Sequence, residues 1–180
     1  MSQGAHMKIV QLGLGAAAAA TAFGLTIPPA HAVGTLTAEP SGSDVQAQIN
    51  TQLRDHPGGR QLDAHRVAYK GGSVVMTFPA ATRAATPCPT GWYCFYQYKN
   101  FGGRMLQFRD CGGTQYFTDY GFKGKTTSWR NTTGHLVITY EQDTDPIRLL
   151  WRELARSESS FVGEGQDNRA DYFDTICNGG

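Results

Sequence analysis

Apolar residues in the first half of the chain recur at the spacing of a short helix. Val45, Ile49 and Leu53 stand four residues apart, which places them on one face of a helix. Ser43 fits its N-cap, and the His-Pro-Gly-Gly segment 56–59 fits its end. The pattern therefore predicts one amphipathic helix.

Two runs after this helix alternate in the manner of β-strands. Residues 67–69 and 74–78 are separated by Lys-Gly-Gly at 70–72, which predicts a hairpin. We interpret residues 33–86 as a pre-domain of one helix, one hairpin and a linker. A unit of this size is too small to be stable alone. It either packs on the rest of the protein or is a detachable prosegment, and the sequence leaves both open.

From Trp92 onward, short apolar runs alternate with glycine-containing turns, as in an all-β sandwich. The predicted strands are 92–98, 104–109, 127–131, 135–141 and 147–152, with further short strands before Cys177. Residues 149–156 also fit a helical turn, because Leu150 and Leu154 are four apart. Strands nevertheless dominate, and the predicted fold class is mainly β.

The stretch from Cys88 to Arg104 contains a specific motif. Tyr96, Phe101 and Gly103 fit the pattern aromatic-x4-aromatic-x-Gly. This pattern resembles the Greek-key signature of βγ-crystallins. The resemblance implies that the Tyr96 ring lies over a hairpin turn and that Gly103 adopts a positive φ.

A weaker copy of this motif follows 44 residues later. The shift places Tyr140 on Tyr96, while Asp145 and Ile147 replace the second aromatic residue and the glycine. Two such Greek keys would form one double Greek-key sandwich over residues 87–180. Unrelated hairpins with a chance tyrosine spacing are the alternative.

The N-terminal segment 1–32 has the features of an export signal. Lys8 precedes an apolar, alanine-rich run at 9–27, and Ala-His-Ala at 30–32 fits a cleavage site. Residues 1–6 precede a plausible native start and are a non-native extension or a misassigned start. We expect a secreted protein with no membrane attachment after signal removal.

The mature chain is predicted to be electrically neutral. Removing Lys8 leaves 15 basic and 15 acidic side chains. A net charge of zero argues against nucleic-acid binding, because binding depends on basic side chains that neutralise the phosphates of the nucleic acid. No heptads are evident, so we expect a monomer.

Four cysteines, all located after the signal, suit two disulfides in an oxidising compartment. Three pairings satisfy this count. We favour Cys88–Cys94, which closes a short turn, and Cys111–Cys177, which ties the end of the domain to its middle. A four-cysteine metal site is disfavoured because the C-x2-C spacing is absent.

Catalytic motifs are absent from the sequence. The three histidines after the signal are His56, His65 and His135, and there is no H-E-x-x-H, G-x-S-x-G or P-loop. We therefore predict that the protein is not an enzyme. Asn131-Thr132-Thr133 is a formal glycosylation sequon.

The βγ-crystallin resemblance also implies a candidate calcium site. The family's calcium stretch corresponds to residues 123–128, which retain the hydroxyl pair, and to 167–172, which retain the acid/amide pair. One composite site would draw on Asp167, Asn168 and Thr127. It would be weak, because calcium prefers six to eight oxygen ligands. The alternative is a structural turn in which the hydroxyls bond the backbone.

Residues 87–177 resemble the secreted actinobacterial family typified by the Streptomyces metalloproteinase inhibitor. The similar features are the signal peptide, the Cys88-to-Cys94 loop, Asn100-Phe101-Gly102-Gly103-Arg104, Thr127-Ser128-Trp129-Arg130-Asn131 and two disulfides. The resemblance implies a peptidase inhibitor whose partner is an extracellular protease, in particular a metalloprotease. A rigid, disulfide-braced loop would enter the protease cleft. The candidate loops are 111–125 and 143–146.

Two other functions fit the same fold, since fold alone does not fix function. One is a calcium-binding extracellular structural or stress protein. The other is an antimicrobial toxin with a crystallin fold. None of these three functions requires a cofactor. Calcium is the single candidate for a bound ion.

Overall fold

The computed structural model describes residues 42–80 and 84–177, so the predicted signal segment and residues 33–41 lie outside it. One α-helix and eleven β-strands occur in this part of the chain. They are α1 (Gly42–Asp55), β1 (Arg60–Gln61), β2 (Arg66–Tyr69), β3 (Val74–Thr77), β4 (Tyr93–Tyr98), β5 (Gly102–Phe108), β6 (Thr114–Tyr116), β7 (Ser128–Asn131), β8 (Leu136–Glu141), β9 (Arg148–Glu153), β10 (Ser157–Ser159) and β11 (Tyr172–Ile176). No helix among these residues is long and apolar enough to cross a bilayer.

Helix α1 covers one side of the core. Val45 and Ile49 are buried and Leu53 packs against the same cluster, as their spacing predicted. The helix begins at Gly42, so Ser43 lies inside its first turn. The prediction of Ser43 as the N-cap was therefore wrong, because the helix starts before this residue.

The strands form two sheets with double Greek-key topology. Sheet 1 has the order β1-β2-β3-β5-β4-β7-β10, and sheet 2 has the order β6-β11-β8-β9. Strands β4–β7 form the first key and β8–β11 the second. The third strand of each key pairs with a strand of the other key: β6 pairs with β11, and β10 pairs with β7. This exchange confirms the predicted mainly β, double Greek-key sandwich.

The two keys are related by the shift of 44 residues. Moved by that amount, β4, β5, β6 and β7 overlap β8, β9, β10 and β11. Equivalent backbone bonds recur: the Thr127 N–H donates to the Tyr96 carbonyl, and the Asp171 N–H donates to the Tyr140 carbonyl. Because β9 occupies Arg148–Glu153, the helical alternative for residues 149–156 was wrong.

The predicted Greek-key motif has the expected geometry. The rings of Tyr96 and Phe101 lie 5.5 Å apart, edge to face, over the β4–β5 turn. Gly103 has a φ of 75°, and a Cβ there would lie 2.7 Å from the Tyr98 ring. Glycine is needed at this position both for its backbone conformation and for its lack of a side chain.

Aromatic side chains from both sheets fill the interior. Phe173 of sheet 2 contacts Tyr93, Phe95 and Phe108 of sheet 1, with ring centroids 4.8–5.6 Å apart. Such edge-to-face and tilted contacts add to the free energy gained by burying the rings. Phe173 therefore joins the two keys through their shared core.

The hairpin of the pre-domain extends sheet 1. Strand β3 pairs antiparallel with β5, with Met76 opposite Leu106. Residues 66–77 thereby cover the outer edge of the first key. The boundaries 33–86 and 87–180 remain predictions, since a packed segment can still be a prosegment.

Two disulfides brace the sandwich. They join Cys88 to Cys94 and Cys111 to Cys177, the same pairs that we favoured from the sequence. The first pins the segment before β4 over the outer face of sheet 1, next to Tyr96. The second ties the segment after β5 to the end of β11.

Candidate functional site

The structure brings together the three residues of the candidate calcium site, which we call site 1. The Thr127 hydroxyl donates to Oδ1 of Asp167 at 2.6 Å and lies 3.5 Å from Oδ1 of Asn168. Thr127 is buried, whereas Asn168 is exposed. Oxygen atoms from both keys therefore meet at one point.

An open groove runs beside site 1. Its walls include Tyr98, Asn100 and two lysines, Lys99 and Lys125. The positive charges of these two lysines disfavour the binding of a metal cation close to them. The groove therefore offers an oxygen-lined but incomplete cation site.

Ser128, the second hydroxyl of the stretch 123–128, has a structural role. Its Oγ donates to the Tyr98 carbonyl at 2.6 Å and accepts the Phe101 N–H at 3.1 Å. These bonds hold the β4–β5 turn against β7. Ser128 therefore bonds the backbone, as the structural-turn hypothesis predicts. Thr127 does not, since its hydroxyl donates to the Asp167 carboxylate.

A second site, site 2, lies at the equivalent position of the other key. The Lys123 Nζ lies 2.7 Å from Oδ2 of Asp143 and 3.8 Å from Oδ1 of Asp171. The hydrogen bond to Asp143 is the main cause that raises the pKa of Lys123. Site 2 therefore already contains a positive charge.

Site 2 forms the base of an exposed loop, residues 142–147. The Gln142 N–H donates to Oδ2 of Asp171 at 2.7 Å, next to the Lys123–Asp143 ion pair. Immediately before the loop, Glu141 pairs with Arg169 at 2.7 Å. These contacts fix the base of the loop, while its tip extends into solvent.

The tip of this loop exposes one carboxylate and one apolar side chain. Ile147 is 55% exposed. Asp145 is also exposed and forms no ion pair within residues 42–80 and 84–177. An unpaired carboxylate and an apolar side chain thus stand two residues apart.

The other predicted loop, residues 111–125, is mostly part of the fold. It contains β6 and a 3-10 helix at Phe117–Tyr120. Phe117, Tyr120 and Phe122 are buried in the core. A protease cleft could not receive these side chains without unfolding the sandwich.

A row of tyrosines crosses the outer face of sheet 2. Tyr116, Tyr172 and Tyr140 are cross-strand neighbours, with ring centroids 5.6 and 5.0 Å apart. Leu149, next to the exposed loop, is the register partner of Tyr140. This row was not predicted from the sequence, although the alternation of β8 and β11 places Tyr140 and Tyr172 on one face of the sheet.

The part of the chain that the structure describes contains no cluster of three or more His, Cys, Asp or Glu side chains suited to a metal ion. Site 1 has a different composition, since it combines one carboxylate with an amide and a hydroxyl. An amide or hydroxyl oxygen carries no full negative charge, so this set is a weaker donor set for calcium than a cluster of carboxylates.

Comparisons with known proteins found one family whose sequence model matches part of this chain. Residues 81–144 match the model of peptidase inhibitor family I36. This match confirms the prediction that the chain is not an enzyme, because the family consists of inhibitors. No curated protein matches the chain.

Several solved structures overlap the sandwich. One, from work on the evolution of the eye-lens βγ-crystallin domain fold, is 14% identical and covers 59% of this chain and 100% of its own, with a TM-score of 0.46. A βγ-crystallin domain from Clostridium beijerinckii is 18% identical, covering 46% and 94%, with a TM-score of 0.38. One from Flavobacterium johnsoniae is 17% identical, covering 50% and 98%, with a TM-score of 0.38.

The strand order, independently of these overlaps, identifies the double Greek key. The cysteine and aromatic motifs predicted the same family that the match identifies. Residues 81–144 of this chain therefore match the sequence pattern of peptidase inhibitor family I36, and most of them lie within a double Greek-key sandwich.

Proposed function

We propose that the protein is a secreted inhibitor of metalloproteases and that the loop 142–147 enters the protease cleft. The family match supports peptidase inhibition in general. The observation that carries the more specific proposal is the loop itself, which is exposed at its tip and fixed at its base by Lys123 and Asp171.

Rigidity matters because a flexible loop loses conformational entropy when it binds. The sequence suggested a disulfide-braced loop, yet neither disulfide lies in residues 142–147. Hydrogen bonds and ion pairs take that role instead. The tyrosine row beside the loop adds a surface of the type enriched at protein interfaces.

The chemistry of the tip favours a zinc protease over other classes. A carboxylate is a good ligand for zinc, and the catalytic zinc of such enzymes keeps an open coordination position. The unpaired Asp145 carboxylate can occupy that position. Ile147 can then fill an apolar subsite two residues away, which makes binding depend on both groups.

An inhibition panel tests this proposal. Purified residues 33–180, at micromolar excess, are expected to inhibit a thermolysin-type zinc protease and to leave a subtilisin-type serine protease active. The measured quantity is residual peptidase activity against a small peptide substrate. Full activity of both enzymes would contradict inhibition, and inhibition of the serine protease alone would contradict the metalloprotease target.

A second candidate function is calcium-dependent structural support, and the oxygen cluster of site 1 favours it. If calcium binds there, titration calorimetry at millimolar calcium should give heat, and Thr127→Val should abolish that heat because one ligand is lost. Thr126→Val is the matched control, since the buried Thr126 hydroxyl has no hydrogen-bond partner among the described residues. An absence of heat with the unmodified protein would eliminate this candidate.

No contact described above favours the antimicrobial-toxin hypothesis. It remains a prediction from the fold resemblance, for which growth inhibition of neighbouring microbes would be the relevant observation.

A further inference from the structure

Sites 1 and 2 are two copies of one turn. The Asn168 N–H donates to the Thr126 carbonyl, and at the equivalent position the Gly124 N–H donates to the Ala170 carbonyl. Asn168 and Gly124 both adopt positive φ, 57° and 62°. The backbone therefore presents its side chains in the same way at both sites.

The side chains at these equivalent positions carry different charges. The shift of 44 residues places Lys123 on Asp167 and Asp171 on Thr127. In site 1 a hydroxyl donates to a carboxylate, and no ammonium group pairs with Asp167 among the described residues. In site 2 an ammonium group lies between two carboxylates.

The Lys123 ammonium group lies within ion-pair distance of both carboxylates of site 2. Asp171 is buried and its Oδ2 accepts the Gln142 N–H, so its charge is held at the base of the loop. Asp143 belongs to the loop and shares the Lys123 ammonium with it. Without that positive charge, the like charges of Asp143 and Asp171 would repel and push the loop away from the sandwich.

The other charged pair at the loop base does not replace Lys123. Arg169 pairs with Glu141 and its Nη1 donates to the Gly165 carbonyl. Its contacts are therefore directed at Glu141 and not at Asp143. Lys125, the nearest other lysine in the sequence, lines the groove of site 1 and forms no ion pair in the described ranges.

We propose that the ammonium group of Lys123 takes the place of a bound metal ion at site 2 and holds the loop 142–147 against the sandwich. The loop then keeps its shape without any divalent metal. The use of this loop in inhibition rests on the proposed function, whereas its bracing by Lys123 does not.

Amide hydrogen exchange of the full mature chain, measured without protease, tests this bracing. Lys123→Met keeps the length of the side chain and removes its charge. We expect the Gln142 amide, whose N–H is hydrogen-bonded to Asp171 at the base of the loop, to exchange on the order of tenfold faster in this variant. Lys123→Arg should restore slow exchange, and Lys125→Met should leave it unchanged.

A second variant tests the metal replacement. Lys123→Asp places three carboxylates at site 2, which suits calcium. Its Gln142 amide should exchange fast in EDTA and slowly in millimolar calcium, while the Gln142 amide of the unmodified protein should exchange slowly in both.

Two results would overturn the proposal. The first is unchanged exchange of the Gln142 amide in Lys123→Met, and the second is a Gln142 amide in Lys123→Asp whose exchange calcium does not slow. Because no protease is present, a failure to inhibit proteases would leave these exchange results intact, so the two proposals fail independently.

Discussion

Replacing Glu153 with glutamine is expected to raise the free energy of unfolding by about 3 kcal/mol at pH 7 and to leave it unchanged near pH 4. Glu153 is completely buried between the sheets. Its Oε1 accepts the Trp151 indole N–H at 2.9 Å, while Oε2 has no well-formed hydrogen bond among the described residues. Burial raises the pKa of Glu153 from 4.5 to about 8, which the Trp151 and Thr139 side chains oppose only in part.

The sign of the effect follows from the two pKa values. Between pH 4.5 and 8 the carboxyl is protonated in the folded chain and ionised in the unfolded chain. Stability then falls by about 1.4 kcal/mol for each pH unit and levels off above pH 8. Below pH 4.5 both states are protonated, so the penalty disappears. Glutamine cannot ionise and removes this dependence.

Urea unfolding at pH 4, 7 and 9 measures this difference. The exposed Glu164, changed to glutamine, is the matched control and should alter stability by less than about 0.5 kcal/mol at each pH. An equal gain at all three pH values, or a loss of stability at pH 9, would contradict the account of Glu153.

Replacing Asn131 with alanine is expected to lower the free energy of unfolding by about 3 kcal/mol, because several buried polar groups lose their partner. Its Nδ2 donates to the carbonyls of His135, Glu153 and Leu154, at 2.8–3.2 Å. Its Oδ1 accepts both the N–H and the hydroxyl of Thr133. One amide thus joins β7 to the start of β8 and the end of β9.

The change in denaturation midpoint measures this loss, with Asn50→Ala on the exposed face of α1 as the control. A loss below about 1 kcal/mol would contradict the role given to Asn131. The same burial prevents glycosylation of the Asn131-Thr132-Thr133 sequon in the folded chain, since Asn131 is only 1% exposed.

The sequence predicted most strands of the sandwich because their signals are local. Alternation and glycine turns placed β4, β5, β7, β8 and β9 within a few residues of their observed bounds. Strand β6 was missed, since its three residues are too few to show a period. The duplication was visible because Tyr96 and Tyr140 keep the same place in both keys.

Contacts between residues far apart in the chain were not predictable in this way. The sequence shows that residue 123 is a lysine but does not show which carboxylates lie beside it. Asp143 and Asp171 become its neighbours only when the two keys pack together. The alternation of β3 likewise predicted a strand but not its pairing with β5.

The sequence also left the choice between two loops open. The segment 111–125 has the turn-forming residues of a surface loop, yet three of its four aromatic side chains, Phe117, Tyr120 and Phe122, are buried in the core. The loop 142–147 has no comparable aromatic anchor and stays outside. This difference depends on tertiary packing and favours the loop 142–147, although residues 112–114 and 118–119 of the other segment are also exposed.

The most direct test of the central claim is the inhibition constant of Asp145→Asn against a thermolysin-type zinc protease, measured beside the unmodified protein and Asp119→Asn. Asp119 is an exposed aspartate in the competing segment. We predict that Asp145→Asn raises the inhibition constant on the order of 100-fold, as expected for a central contact, and that Asp119→Asn does not change it. Full inhibition by Asp145→Asn, together with weaker inhibition by Asp119→Asn, would contradict the assignment of the loop 142–147.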